Sequence, residues 1–117
     1  MKKRSLVLFS VCLFVSLAVC GAAFADELSD AAAKGAALFK DASLGTNGKS
    51  CASCHSDGSG WAGKARFPKV ALGGVRTLDQ AIQTCIVNPL AGKALAWDDA
   101  RLTALAVFVD ATYGAKK

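Results

Sequence analysis

Methionine and histidine are almost missing from this chain of 117 residues: the one methionine is Met1 and the one histidine is His55. No block of like charge is present. The formal net charge is +5, but Lys2, Lys3 and Arg4 sit at the extreme N-terminus, and without them the rest is near +2. That balance excludes a nucleic-acid binder working through a basic run. No stretch alternates polar and apolar in the manner of a strand, and neither a repeat nor a low-complexity segment is visible, so the expected fold is all-α. No independent catalytic constellation stands out. The mean hydropathy of +0.36 is raised by the N-terminal segment and does not imply a membrane protein.

That N-terminal segment reads as an export signal. Met1-Lys2-Lys3-Arg4 is a basic n-region, Ser5 to Val19 is apolar, and Ala23-Phe24-Ala25 is an A-x-A cleavage site before Asp26. The expected division is a signal peptide over 1–25 and one domain over 26–117, exported to the periplasm and free of the membrane after cleavage. Retention as an uncleaved anchor and lipidation at Cys20 stay open, although Val19 is large for lipoprotein processing. Cleavage removes Cys12 and Cys20 and leaves Cys51, Cys54 and Cys85. A domain of about 90 residues has a thin core and often needs a cofactor, metal or disulfide.

Cys51-Ala52-Ser53-Cys54-His55 supplies such a cofactor. C-x-x-C-H is the attachment pattern of c-type haem. Two thiols at this spacing reach two vinyl groups on one edge of the porphyrin, and the histidine falls beneath the ring as proximal iron ligand. Competing uses of C-x-x-C fit less well. A thioredoxin-like pair needs a βαβ surround, a zinc site needs a second ligand pair, and a disulfide here closes a very short loop. The prediction is one covalent haem c, with Cys51 and Cys54 as thioether donors and His55 on the iron.

The rest of the domain reads as helices and loops around that motif. Ser29 is the expected N-cap of a helix running to Lys40 or Asp41, with Ala32, Gly35, Ala36, Leu38 and Phe39 on its apolar side. Gly35 costs about 1 kcal/mol against alanine, which points to the close approach of another helix. Gly45 to Gly48 is turn chemistry. A glycine-rich loop follows His55 and contains Trp61, able to pack on the haem or to bond a propionate. Arg66, Lys69 and Arg76 are further propionate candidates. A carbonyl near Pro68 is placed to accept the second ring N–H of His55. Thr77 and Gln80 form a capping box, and Leu78, Ala81, Ile82, Cys85 and Ile86 lie on one helical face that ends before Pro89. Asp98 is expected to cap a last helix with the stripe Leu102, Leu105, Ala106 and Val109, flanked by Phe108 and Tyr113.

This order of elements resembles the class I cytochrome c domains over essentially the whole of residues 26–117. Gly35 to Phe39 is similar to the family's N-terminal helix, Pro68 to its proline beside the proximal histidine, and Leu102 to Val109 to its C-terminal helix. The resemblance implies a small all-α cytochrome c fold, covalent haem and periplasmic electron transfer. It departs from the usual pattern at the distal ligand, because Met1 is the only methionine. Cys85, Lys93 and Asn88 are the residues left to consider, besides water or an open position. Thr84 to Leu95 is similar to the segment after the haem in SoxA-type and thiosulfate-dehydrogenase-type cytochromes, some of which use a distal cysteine. That similarity makes Cys85 the first candidate distal ligand, against a plain packing role for a small buried thiol.

Three functions follow from these readings: a single-electron carrier meeting other redox proteins transiently, a haem with an open sixth position that binds a small gas molecule, and a haem subunit of a sulfur-compound-oxidising enzyme. The carrier ranks first.

Overall fold

A computed structural model describes residues 23–56 and 66–114. The chain divides between Asp30 and Ala31 into two units. In the first, the described residues 23–30 are helical. Ser29 therefore lies within helix and is not an N-cap; alanine-rich sequence around it favours helix on both sides. The signal segment up to residue 22, Trp61 and most of the glycine-rich loop lie outside the described residues.

The second unit opens with helix α1, residues 31–40. Asp41 then starts a 3-10 turn, Ala42–Leu44, by accepting the Ser43 N–H at 2.8 Å. A single helical turn, α2 (Cys51–Cys54), carries the attachment motif. Next comes a hairpin of β1 (Lys69–Ala71) and β2 (Gly74–Arg76), antiparallel, with Val70 opposite Val75. Helices α3 (Leu78–Val87) and α4 (Ala100–Tyr113) complete the unit.

The hairpin corrects the all-α expectation: the fold is mostly helical with a small two-stranded sheet. Leu72 and Gly73 join the strands, both with positive φ (52° and 84°), as the two-residue primed turns of hairpins require. The α3 boundaries fall where expected. Thr77 and Gln80 exchange capping bonds, and the chain leaves the helix at Asn88. The α4 cap falls one residue later than expected: Asp99, not Asp98, accepts the Arg101 N–H at 2.9 Å. Only from Asp99 does the carboxylate reach back over the first free amides of the helix.

The core joins Phe39, Leu44, Ile86, Leu90, Leu105, Val109 and Tyr113. Helix α4 buries two sides. Leu105, Val109 and Tyr113 belong to that core and Leu102 is buried as well, whereas Ala104 and Phe108 meet α1. A side chain on Gly35 would run into the Ala104 carbonyl and come within 2.6 Å of the Phe108 Cβ. Phe39, Phe108 and Tyr113 close the crossing with ring centroids 5.3–6.0 Å apart, in the tilted and edge-on geometries aromatic pairs prefer.

Two consequences can be measured. Gly35→Ala improves helix propensity by about 1 kcal/mol but forces two backbones apart, an overpacking cost of about 1–3 kcal/mol. A net loss of stability in denaturant unfolding is expected; a gain would show that the crossing yields freely. Asp99 is held down to about 2, first by the Arg101 side chain and then by the Arg101 backbone N–H. A carboxyl depressed in the folded state stabilises the fold above its unfolded value and loses that contribution as pH falls through its folded value. Asp99→Asn, which keeps an acceptor oxygen but not the charge, should flatten the stability loss between about pH 4 and pH 2. An acid limb as steep as the parent's would refute this.

Candidate haem site

The attachment turn is built by its own serines. The Ser50 N–H donates to the Ser53 hydroxyl at 2.9 Å, and the Ser53 N–H donates to the Ser50 carbonyl at 3.0 Å. This reciprocal pair starts the helical turn immediately before Cys51. At its other end the His55 N–H donates to the Cys51 carbonyl at 3.1 Å. One turn of helix sets Cys51 and Cys54 three residues apart on adjoining positions of one face, and releases the imidazole beyond it. The serine pair has the spacing of a capping box, and that spacing was the signal available in the sequence.

Cys51, Cys54 and His55 all line one cavity of about 360 Å³, and so does Cys85. The other walls are almost wholly apolar. Leu78, Ala81 and Ile82 of α3 form one side, Leu105 and Val109 of α4 the back, and Phe67, Ala71 and Leu72 of the hairpin region the rim. The α3 stripe read from the sequence therefore splits: Leu78, Ala81, Ile82 and Cys85 face the cavity, while Ile86 is fully buried in the core behind it. Among the described residues the thiols and carboxylates include no metal-binding cluster of their own.

This apolar setting shapes the chemistry of the donors. Burial lowers the His55 pKa, which favours the neutral imidazole that a metal needs. Burial, reinforced by Cys85 and Cys54, raises Cys51; burial, reinforced by Cys54, raises Cys85. Two facing thiols in an oily pocket stay protonated until a cation or a covalent bond takes them over. The cavity thus fits a flat apolar group held at one edge by two sulfurs, with a nitrogen donor beside them and a further sulfur available.

The three propionate candidates part company. Lys69 lines the cavity and lies 4.7 Å over the Phe67 ring. Arg66 is exposed, and Arg76 turns to a different cleft behind α3. Lys93 and Asn88, the weaker ligand candidates, are not among the described residues that line the cavity. Sequence reasoning missed Phe67, Ala71 and Leu72, because a three-residue strand carries too little pattern to announce a wall.

Two loops fix the cavity's width. The Thr46 N–H donates to the Leu90 carbonyl at 3.0 Å, its hydroxyl to the Ala91 carbonyl at 2.7 Å, and the Asn47 amide to the Pro89 carbonyl at 2.9 Å. Gly92 has no room for a side chain, since one would strike the Leu44 carbonyl. From the other direction, the Gln83 amide grips the Leu95 N–H and C=O at 2.9 and 2.5 Å.

Comparison with known proteins gave one finding. Neither characterised proteins nor solved structures yielded a match. A family model, the SoxA/TsdA cytochrome c domain, matches residues 34–113. That span covers more than half of the chain and runs from the start of the α1–α4 crossing through the attachment turn to the end of α4, so the chain belongs to the SoxA/TsdA cytochrome c domain family.

Proposed function

We infer that the protein is a single-haem electron carrier of the periplasm, with Cys51 and Cys54 as the covalent attachment points, His55 as proximal iron ligand and Cys85 as distal ligand. The observation that carries this reading is the convergence of all four side chains on one apolar cavity. The haem supplies a one-electron Fe(III)/Fe(II) couple. The chain's own residues hold it and exclude water from it. Leu105 and Val109, with Leu78 and Ile82 of the Cys85 helix, line the cavity with apolar side chains and would pack against a bound haem and keep water from it. A thiolate donor favours the ferric state, in contrast to the methionine of most class I domains. Signal cleavage near Ala25 delivers the domain to the periplasm, where its partners are other redox proteins met in transient encounters. Among the described residues no helix is long and apolar enough to cross a membrane.

Family membership favours a second reading, a haem subunit of a sulfur-compound-oxidising enzyme. Thiosulfate-dependent reduction of an electron acceptor by the purified protein would favour it over the carrier.

Two experiments test the ligand set. Ferric EPR and absorption spectra should show low-spin thiolate-type signals that vanish in Cys85→Ala; an unchanged spectrum in the variant removes Cys85 from the iron. Rapid CO binding by a high-spin ferrous form of the unaltered protein would instead indicate an open sixth position. For the attachment, acidic organic solvent should leave the haem on the parent protein and extract it from the Cys51→Ser/Cys54→Ser double variant. Extraction from the parent would overturn covalent attachment.

A further inference from the structure

Helix α3 has a second working side. With 3.6 residues per turn, Gln80, Gln83, Thr84 and Val87 lie opposite the face that carries Leu78, Ile82 and Cys85. Together with Arg76, Asn88 and Trp97 they line a separate open cleft of about 340 Å³. Among the described residues that line it there is no carboxylate.

The charged group of the cleft is a donor, Arg76. Arg76 leaves β2 on its inner side, and its Nη1 lies 3.7 Å from where a side chain on Gly74 would begin, so the guanidinium rests in space that glycine leaves empty. Its Nε–H is buried and has no acceptor among the described residues. A buried N–H without a partner costs free energy, more so on a charged group. The Gln80 oxygen is spent on the Thr77 N–H at 3.0 Å, which leaves its NH₂ group to the outside. The Thr84 hydroxyl is committed to the Gln80 carbonyl at 2.8 Å, and the Gln83 amide to Leu95. What remains on offer is a guanidinium, the Gln80 and Asn88 amide NH₂ groups and the Trp97 indole N–H, with the Asn88 amide oxygen as an acceptor beside them; the charge among the described lining residues is positive. Such a set asks for a carboxylate.

Beside these donors the surface is apolar and uncovered. Trp97 is 67% exposed and Val87 41%. An exposed tryptophan next to an arginine is the composition of an interface hot spot. The cleft is open-sided, so a small acid would leave the indole uncovered, whereas a polypeptide places an apolar side chain on it while its neighbour meets the arginine.

We propose that this cleft docks an acidic segment of a partner polypeptide, with a carboxylate on Arg76 and an adjacent apolar side chain on Trp97 and Val87. The site uses none of the haem-facing residues, and α3 separates the two. Docking there leaves the cavity rim free.

The test is NMR titration of the full isotope-labelled holoprotein with two synthetic decapeptides, one alternating Glu and Leu, the other alternating Gln and Leu. The Glu/Leu peptide should shift the Trp97 indole and the Gln80 and Asn88 side-chain amides saturably, and the Gln/Leu peptide should bind at least about tenfold more weakly. Arg76→Gln should weaken the Glu/Leu peptide by about tenfold or more, with Arg76→Lys losing less. Trp97→Ala, at an exposed position, should also lose about tenfold. Circular dichroism identical to the parent's establishes that each variant is folded. Shifts scattered away from the cleft, equal binding by Arg76→Gln, or equal shifts from acetate alone would each overturn the proposal.

Discussion

The cavity keeps its width because two loops are sewn together. The segment entering the attachment turn is tied at Thr46 and Asn47 to the segment leaving α3 at Pro89, Leu90 and Ala91, by bonds of 2.7–3.0 Å. One loop delivers Cys51 and His55; the other ends the helix that carries Cys85. Cys51, His55 and Cys85 all line the cavity, so its width depends on how far these two loops are held apart. Backbone carbonyls as acceptors make the separation a property of the chain rather than of side-chain rotamers. Gly92 permits this closeness, and the Gly92 N–H extends it by donating to the Ile86 carbonyl at 2.8 Å.

Behind this seam the helices form a frame that is small for its task. A domain of this size buries too little apolar surface to be robust alone. The α1–α4 crossing economises by removing a side chain at Gly35 and filling the surroundings with three aromatic rings. Leu105 and Val109 then serve twice, since both belong to the core and both line the cavity. A bound haem would extend the same apolar cluster across the cavity, so cofactor binding and folding share residues. Substitutions at these two positions act on stability and on haem environment together.

Strong local chemistry was legible in the sequence and weak patterning was not. C-x-x-C-H needs no tertiary context, and the Thr77–Gln80 box and Pro89 bound α3 from both ends. The strands escaped because each has three residues and their alternation is inverted: Val70 and Val75 point to solvent, while Lys69 and Arg76 point inward. A hydrophobic pattern cannot reveal a hairpin whose apolar residues face out. Ala104 escaped for a different reason. Its partner is a glycine on a distant helix, so the position looks neutral until the crossing is known. Gln83 reads as surface in a helical wheel, yet it is buried because its amide replaces the missing backbone partners of Leu95.

Helix α3 stands between the two cavities. It is only ten residues long, yet every side of it is committed. One face supplies Cys85 and the apolar wall of the haem cavity, Ile86 anchors the core, and Gln83 fixes the following loop. The remaining side meets Arg76 of the hairpin across the second cleft. A helix about 10 Å across puts the two surfaces within one element's thickness of each other. Whatever displaces α3 toward or away from the hairpin must also move Cys85 relative to Cys51 and Cys54. The rigid seam at Leu90 and the grip on Leu95 oppose such movement at the C-terminal end, and the capping box opposes fraying at the start. Both ends of the helix are thus tied, while on its Arg76 side a buried N–H lacks an acceptor among the described residues.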